Sequence, residues 1–211
     1  MELHERPTWR GWLHAVTFFV AIPAGVLLIV YADHPAAKVG AAIYAACLLV
    51  GFGTSAAYHR IHWSASARRV MQRMDHSMIF VLIAGTYTPV CLLALPTAWG
   101  IPLMCAVWVV ASLGVTMKLC AFGRFRFLQY GLYPMLGWSV IVAAPVLVHA
   151  LTGPQLALLV AGGLLYTVGI PVLMVGRPDP WPRTFGYHEV WHTFTVAAGV
   201  CHFASIGLLI R

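Results

Sequence analysis

Residues 11–31, GWLHAVTFFVAIPAGVLLIVY, contain no Asp, Glu, Lys or Arg. As a helix rising 1.5 Å per residue, a run of this length covers about 30 Å, the thickness of a bilayer's hydrocarbon core. Six more apolar runs of similar length follow, at roughly 38–60, 74–95, 98–120, 128–150, 155–175 and 187–210. None alternates apolar with polar residues, which excludes a transmembrane β-barrel. Over the whole chain 61% of the 211 residues are hydrophobic and only 9% charged. Soluble domains carry about 25% charged residues, so a water-soluble protein is excluded too. The expected fold is an all-α membrane protein, a seven-transmembrane helix bundle forming a single domain over residues 1–211. The N-terminus, MELHERPTWR, carries acids and a Pro, and no small-residue cleavage site follows the first run. The first span is therefore expected to be retained rather than cleaved as a signal peptide.

Eleven of the thirteen Lys and Arg fall in the N-terminal segment or near the connections after spans two, four and six. Arg6, Arg10, Arg73 and Arg126 are among them, while only Lys38 and Arg211 fall at the opposite end. The positive-inside rule then predicts a cytoplasmic N-terminus and an extracytoplasmic C-terminus in a multi-pass protein of the cell (plasma) membrane. Cations scattered over short loops at span ends serve topology and anionic lipid, so no nucleic-acid partner is expected. The five Cys lie in apolar spans without C-x-x-C spacing, which speaks against a disulfide framework or a thiolate metal site.

With that orientation each polar residue within a span acquires a depth. The second span ends GTSAAYHR, which sets His59 near the cytoplasmic face and Ser55 one turn deeper on the same side of the helix. The third run begins RMDHSMIF and brings Asp75 to that level. The last begins YHEVWHTF, with His188 shallow and His192 one turn below. Ionisable groups at such positions are costly and are functional candidates by default. Each has a plainer reading: His188 and His192 as an interfacial helix start, His59 as a neighbour of Arg60, Asp75 as a helix N-cap, Ser55 bonded to the Gly51 carbonyl. Together they supply what a catalytic zinc site needs, three imidazoles with a fourth position open and a carboxylate to accept from a water there. His188-Glu189-Val190-Trp191-His192 also matches the H-E-x-x-H pattern of zinc metalloproteases, in which Glu189 would be the general base. His14 lies at the right depth to support the site without being a ligand. His149 and His202 lie too far toward the other face, and His4, His34, His62 and His76 are set aside.

Four elements, RGWLH (10–14), SAAYH (55–59), DHSMIFVLIAGTYTP (75–89) and FGYHEVWHTF (185–194), resemble the hemolysin III family. That family is the microbial branch of the progestin and adiponectin receptor (PAQR) superfamily. The resemblance implies seven helices and one Zn²⁺ near the cytoplasmic leaflet. It makes His59, His188 and His192 the metal ligands, Asp75 the catalytic carboxylate that holds the water, and Ser55 an auxiliary catalytic hydrogen-bonding group. In this pattern Glu189 belongs to the motif without ligating, free to orient the site or pair with a loop arginine. The activity implied is zinc-dependent hydrolysis of a lipid amide or ester of the ceramide type. Membrane lipids are the expected partners, with a lipid substrate or a free fatty acid at the site and no oligomeric state implied. Three other readings stand beside it: a non-enzymatic sensor of the bilayer with structural zinc, a cytolytic protein, and an intramembrane metalloprotease.

Overall fold

The computed structural model describes residues 7–124 and 126–211, and for residues 126–130 the backbone alone. His4 and Arg6, and the side chain of Arg126, lie outside what is described. Seven helical passes are long and apolar enough to cross a membrane. They are α1 (Trp12–Val30), α2 (Pro35–Arg60), α3 (Ala65–Leu93), α4 (Thr97–Cys120), the pair α5 (Arg126–Trp138) and α6 (Ala144–Ala150), α7 (Gly153–Val175) and α8 (Tyr187–Leu209). Local chemistry fixes several starts. The His34 ring accepts from the Ala37 N–H at 3.3 Å with Pro35 following, and Ser64 accepts from the Ala67 N–H at 3.3 Å. Thr152 and Gln155 form a capping box on α7, and Gly176, at φ 69°, ends that helix.

Two apolar clusters hold the bundle. Phe80, Tyr87, Val107 and Leu147 belong to one, built from α3, α4, α5 and α6; Leu28, Tyr44, Phe52 and Ile206 belong to the other, built from α1, α2 and α8. The α2–α3 seam joins them. It closes because Gly85 faces Cys47 so tightly that an added Cβ would stand 2.5 Å from the Cys47 Cβ. The outward faces stay apolar, with Phe19 67%, Val142 68% and Val175 71% exposed, as helices facing lipid tails require.

Successive passes run antiparallel, and contacts at each end agree. At one end Thr8 N–H donates to the Arg183 carbonyl at 3.1 Å and Trp9 N–H to that of Thr184 at 3.0 Å, tying the N-terminal segment to the α7–α8 connection. At the other, Asp33 N–H donates to the Ile210 carbonyl at 3.1 Å and Gln155 Nε2 to that of Leu208 at 3.0 Å.

The structure departs from the sequence reading in two spans. The third helix starts at Ala65, well before the apolar run, so Asp75 lies inside it, about three turns from its start, and is not an N-cap; Ser64 has that role. The fifth span is broken, with a 3₁₀ turn at Ser139–Ala143 between α5 and α6. Broken backbone at membrane depth survives only where protein groups satisfy it. Here the Tyr87 hydroxyl of α3 does so, accepting from the Val140 N–H at 2.8 Å and donating to the Gly137 carbonyl at 2.8 Å. Tyr87→Phe leaves both without that partner. A loss of about 1–3 kcal/mol is expected, read as a lower unfolding midpoint in detergent, and an unchanged midpoint would show that the break does not depend on Tyr87.

Candidate metal centre

Two helices bring three imidazoles to the end of the bundle where the N-terminal segment lies. His59 comes from the last turn of α2, and His188 and His192 from the first two turns of α8, one turn apart on one face. One ring nitrogen from each lies within 4.8 Å of the others, a group that could hold a metal ion. His59 and His192 are buried and His188 is half-buried. The Nε2 atoms of His59 and His188 are 3.2 Å apart. Ligand nitrogens about 2.0–2.1 Å from one tetrahedral ion are themselves about 3.3 Å apart, so this pair already has the spacing of a shared ion. The longest separation, 4.8 Å, would close with a shift of about 1.5 Å. His192 also keeps Nδ1 buried and without a hydrogen-bond partner.

Asp75 reaches the cluster from α3, its Oδ2 3.9 Å from His59 Nε2 and its side chain 13% exposed. Ser55, one turn from His59 on α2, is buried, but its direct partner is His14 of α1: Ser55 Oγ lies 2.8 Å from His14 Nδ1. His14 reaches onward to Thr195 Oγ1 at 2.9 Å and lies flat on the His192 ring, centroids 3.7 Å apart and planes 13° from parallel. Depth along α1 pointed to His14 as a supporting residue. Its lateral position between α2 and α8 carried no signal in the sequence, and Thr195 was missed altogether.

Glu189 is fully buried, and both its oxygens are engaged away from the imidazoles. Oε1 is paired with Arg10 Nε, and Oε2 accepts from the Gly186 N–H at 2.9 Å. It thus closes the first turn of α8 and straps the residues before α1 onto it. The arginine anticipated from the sequence is Arg10. Next to it Gly11, at φ 80°, passes so close to α2 that an added Cβ would lie 2.5 Å from the His59 Cβ. Arg60 then lies 4.4 Å over the Trp12 ring. Glu189→Gln should leave metal content unchanged while lowering stability by about 2 kcal/mol. Measured metal content and unfolding midpoint check this; lost metal would mean that Glu189 holds the ion or its ligands in place, a role beyond the general base that the protease pattern assigns it.

The fold and this cluster define a class, a multi-pass membrane protein with a metal-competent group of three histidines at one end of a seven-helix bundle. The chain belongs to the haemolysin III family, whose model, "Haemolysin-III related", matches residues 3–203. Hemolysin-3 of Bacillus cereus is 32% identical over 196 residues, covering 92% of this chain and 86% of that protein. The Hemolysin-3 homolog of Bacillus subtilis (strain 168) is also 32% identical over 196 residues, covering 92% and 89% respectively.

Proposed function

We propose that this protein is a zinc-dependent hydrolase of lipid amides or esters, oriented in the plasma membrane with its N-terminus and its site on the cytoplasmic side. The observation that carries the reading is a carboxylate standing 3.9 Å from one of three clustered imidazoles at the membrane boundary. His59, His188 and His192 would hold the ion; three neutral imidazoles are the donor set of catalytic zinc and leave its double charge uncompensated. Bound there, zinc supplies Lewis acidity, lowering the pKa of a water and polarising an acyl oxygen. Asp75 would take one proton of the attacking water as the water oxygen bonds to the acyl carbon. The C–N or C–O bond of the tetrahedral adduct then breaks, the proton passes from Asp75 to the departing amine or alkoxide, and a free fatty acid remains. A lipid's acyl carbonyl lies near the headgroup level, which matches the end of the bundle where the cluster sits, and the apolar outer faces allow lateral approach.

A second reading has one observation in its favour. α2 and α8 are not among the closely packed helix pairs, yet their imidazoles meet. A metal there would staple two helices in a non-enzymatic protein that responds to the bilayer. The B. cereus relative's name suggests lysis of cells as a third role. The experiment is turnover of a defined N-acyl lipid and its ester analogue by purified protein in proteoliposomes. Release of fatty acid that a zinc chelator stops and added zinc restores supports the hydrolase. Zinc bound without turnover of either lipid supports the staple.

A further inference from the structure

α2 and α8 are not among the closely packed helix pairs, so more than their own faces must hold His59 against His188 and His192. Two consecutive residues ahead of α1 bridge the gap. Arg10 pairs through Nε with Glu189, which lies between the two α8 imidazoles in the sequence. Gly11 presses on the third imidazole's helix: an added Cβ would lie 2.5 Å from the His59 Cβ and 3.4 Å from Arg60 Cγ. The bridge is anchored on either side. Thr8 and Trp9 donate their N–H groups to the carbonyls of Arg183 and Thr184, on the connection that leads into α8. Beyond Gly11, the Trp12 ring lies under the Arg60 guanidinium at the end of α2.

We propose that Arg10 and Gly11 are positioning residues of the metal centre, which set the separation of His59 from the α8 imidazoles and, through it, the affinity for a divalent ion. The inference rests on the metal-site reading above. The leverage is steep, because metal–ligand distances tolerate only about ±0.2 Å. At Gly11 there is room for a hydrogen and nothing more. Carbons in contact stand about 3.5–4.0 Å apart, so a methyl group there would force His59 and the bridge apart by about 1 Å. The bridge is tied to α8, so the gap opens between His59 and its partners. The φ of 80° at Gly11 disfavours a Cβ in its own right, whatever the space. Gly123 separates these two effects. Its φ is 83°, yet a Cβ there would meet nothing within 4 Å among the described residues. Gly123→Ala therefore carries the backbone penalty without touching a ligand.

Two measurements test this. In Co²⁺ titrations of purified protein followed by visible ligand-field bands, Gly11→Ala should weaken binding about 10–100-fold and alter the spectrum. Gly123→Ala should match the unsubstituted protein in both. Unchanged binding in the Gly11 variant, or equal weakening in the two, overturns the proposal. The second measurement needs no metal. The His59 and His188 rings stand 4.8 Å apart by their centroids, so metal-free protein with ¹³C-labelled histidine should show a through-space contact between them. Gly11→Ala should lose that contact and Gly123→Ala keep it; a contact that persists in the Gly11 variant overturns the proposal. Wild-type protein that binds no Co²⁺ or Zn²⁺ refutes the metal reading instead, and the ring contact still decides what sets the separation. If Gly11→Ala does not fold, Arg10→Met in a Glu189→Gln background carries both measurements. It removes the hold on α8 without stranding a buried charge, whereas Glu189→Gln alone keeps an oxygen that accepts from Arg10. Weaker Co²⁺ binding and a lost ring contact in the double variant only are expected; no difference between the two overturns the proposal.

Discussion

His192→Ala should abolish tight metal binding. His192 is 2% exposed, its Nδ1 has no hydrogen-bond partner, and it lies one turn further into α8 than His188. With it gone, His59 and His188 remain as a two-nitrogen pair 3.2 Å apart, one short of the three protein ligands of a catalytic zinc site. Loss of a residue that merely supports a ligand costs about 10–100-fold in affinity, so removal of a ligand should exceed 100-fold. Metal content after equilibration with a competing chelator is the measurement. His149→Ala is the control, since His149 is exposed in the last turn of α6 and outside the group of three. Full metal stoichiometry in His192→Ala would dissolve the centre, because His59 and His188 alone cannot account for it. Lost metal with unchanged unfolding of the metal-free protein would assign the effect to ligation rather than to packing against His14.

What the sequence disclosed follows from the range of the forces involved. Hydrophobic run length is local, so the passes at α1, α2, α4, α7 and α8 were legible almost to their ends. The start of α3 was not, because its first turns carry Arg68, Arg69 and Arg73 and leave the apolar pattern behind; only Ser64 marks it. The break at Ser139–Ala143 was hidden for a different reason. Pro145 marks a weak point nearby, but the hydroxyl that makes the break tolerable belongs to Tyr87, on another helix. The site divides in the same way. The i, i+4 spacing of His188 and His192 is visible in one helix, and membrane depth set His59 and Asp75 beside them; the structure brings these four together. Depth says nothing about rotation around the bundle axis, which is why Ser55 turned out to face His14, and why Glu189 could be paired with an arginine in general but not with Arg10 in particular. The H-E-x-x-H match shows the hazard: the spacing is right for two ligands, while the Glu between them serves the helix start.

Asp75→Asn is the substitution that separates chemistry from architecture. Asn keeps the shape of the side chain and can still accept a hydrogen bond through its carbonyl, but it cannot take a proton at neutral pH. Asp75 stands 3.9 Å from His59 and is not one of the clustered histidines, so the variant should bind zinc as well as the unsubstituted protein does. General-base catalysis contributes about 10²–10⁴ in rate, and fatty-acid release in proteoliposomes should fall by that factor. Asp75 lies inside α3 with Ser64 serving as the cap, so no helix-start penalty complicates the comparison. The unfolding midpoint should therefore stay close to that of the wild type. Retained turnover would remove Asp75 from the reaction and leave the proposed hydrolase mechanism without a base. Lost zinc would make Asp75 a fourth ligand, closing the position that a reacting water must occupy and favouring the staple between α2 and α8. Zinc kept and turnover lost is the combination that only a catalytic centre produces.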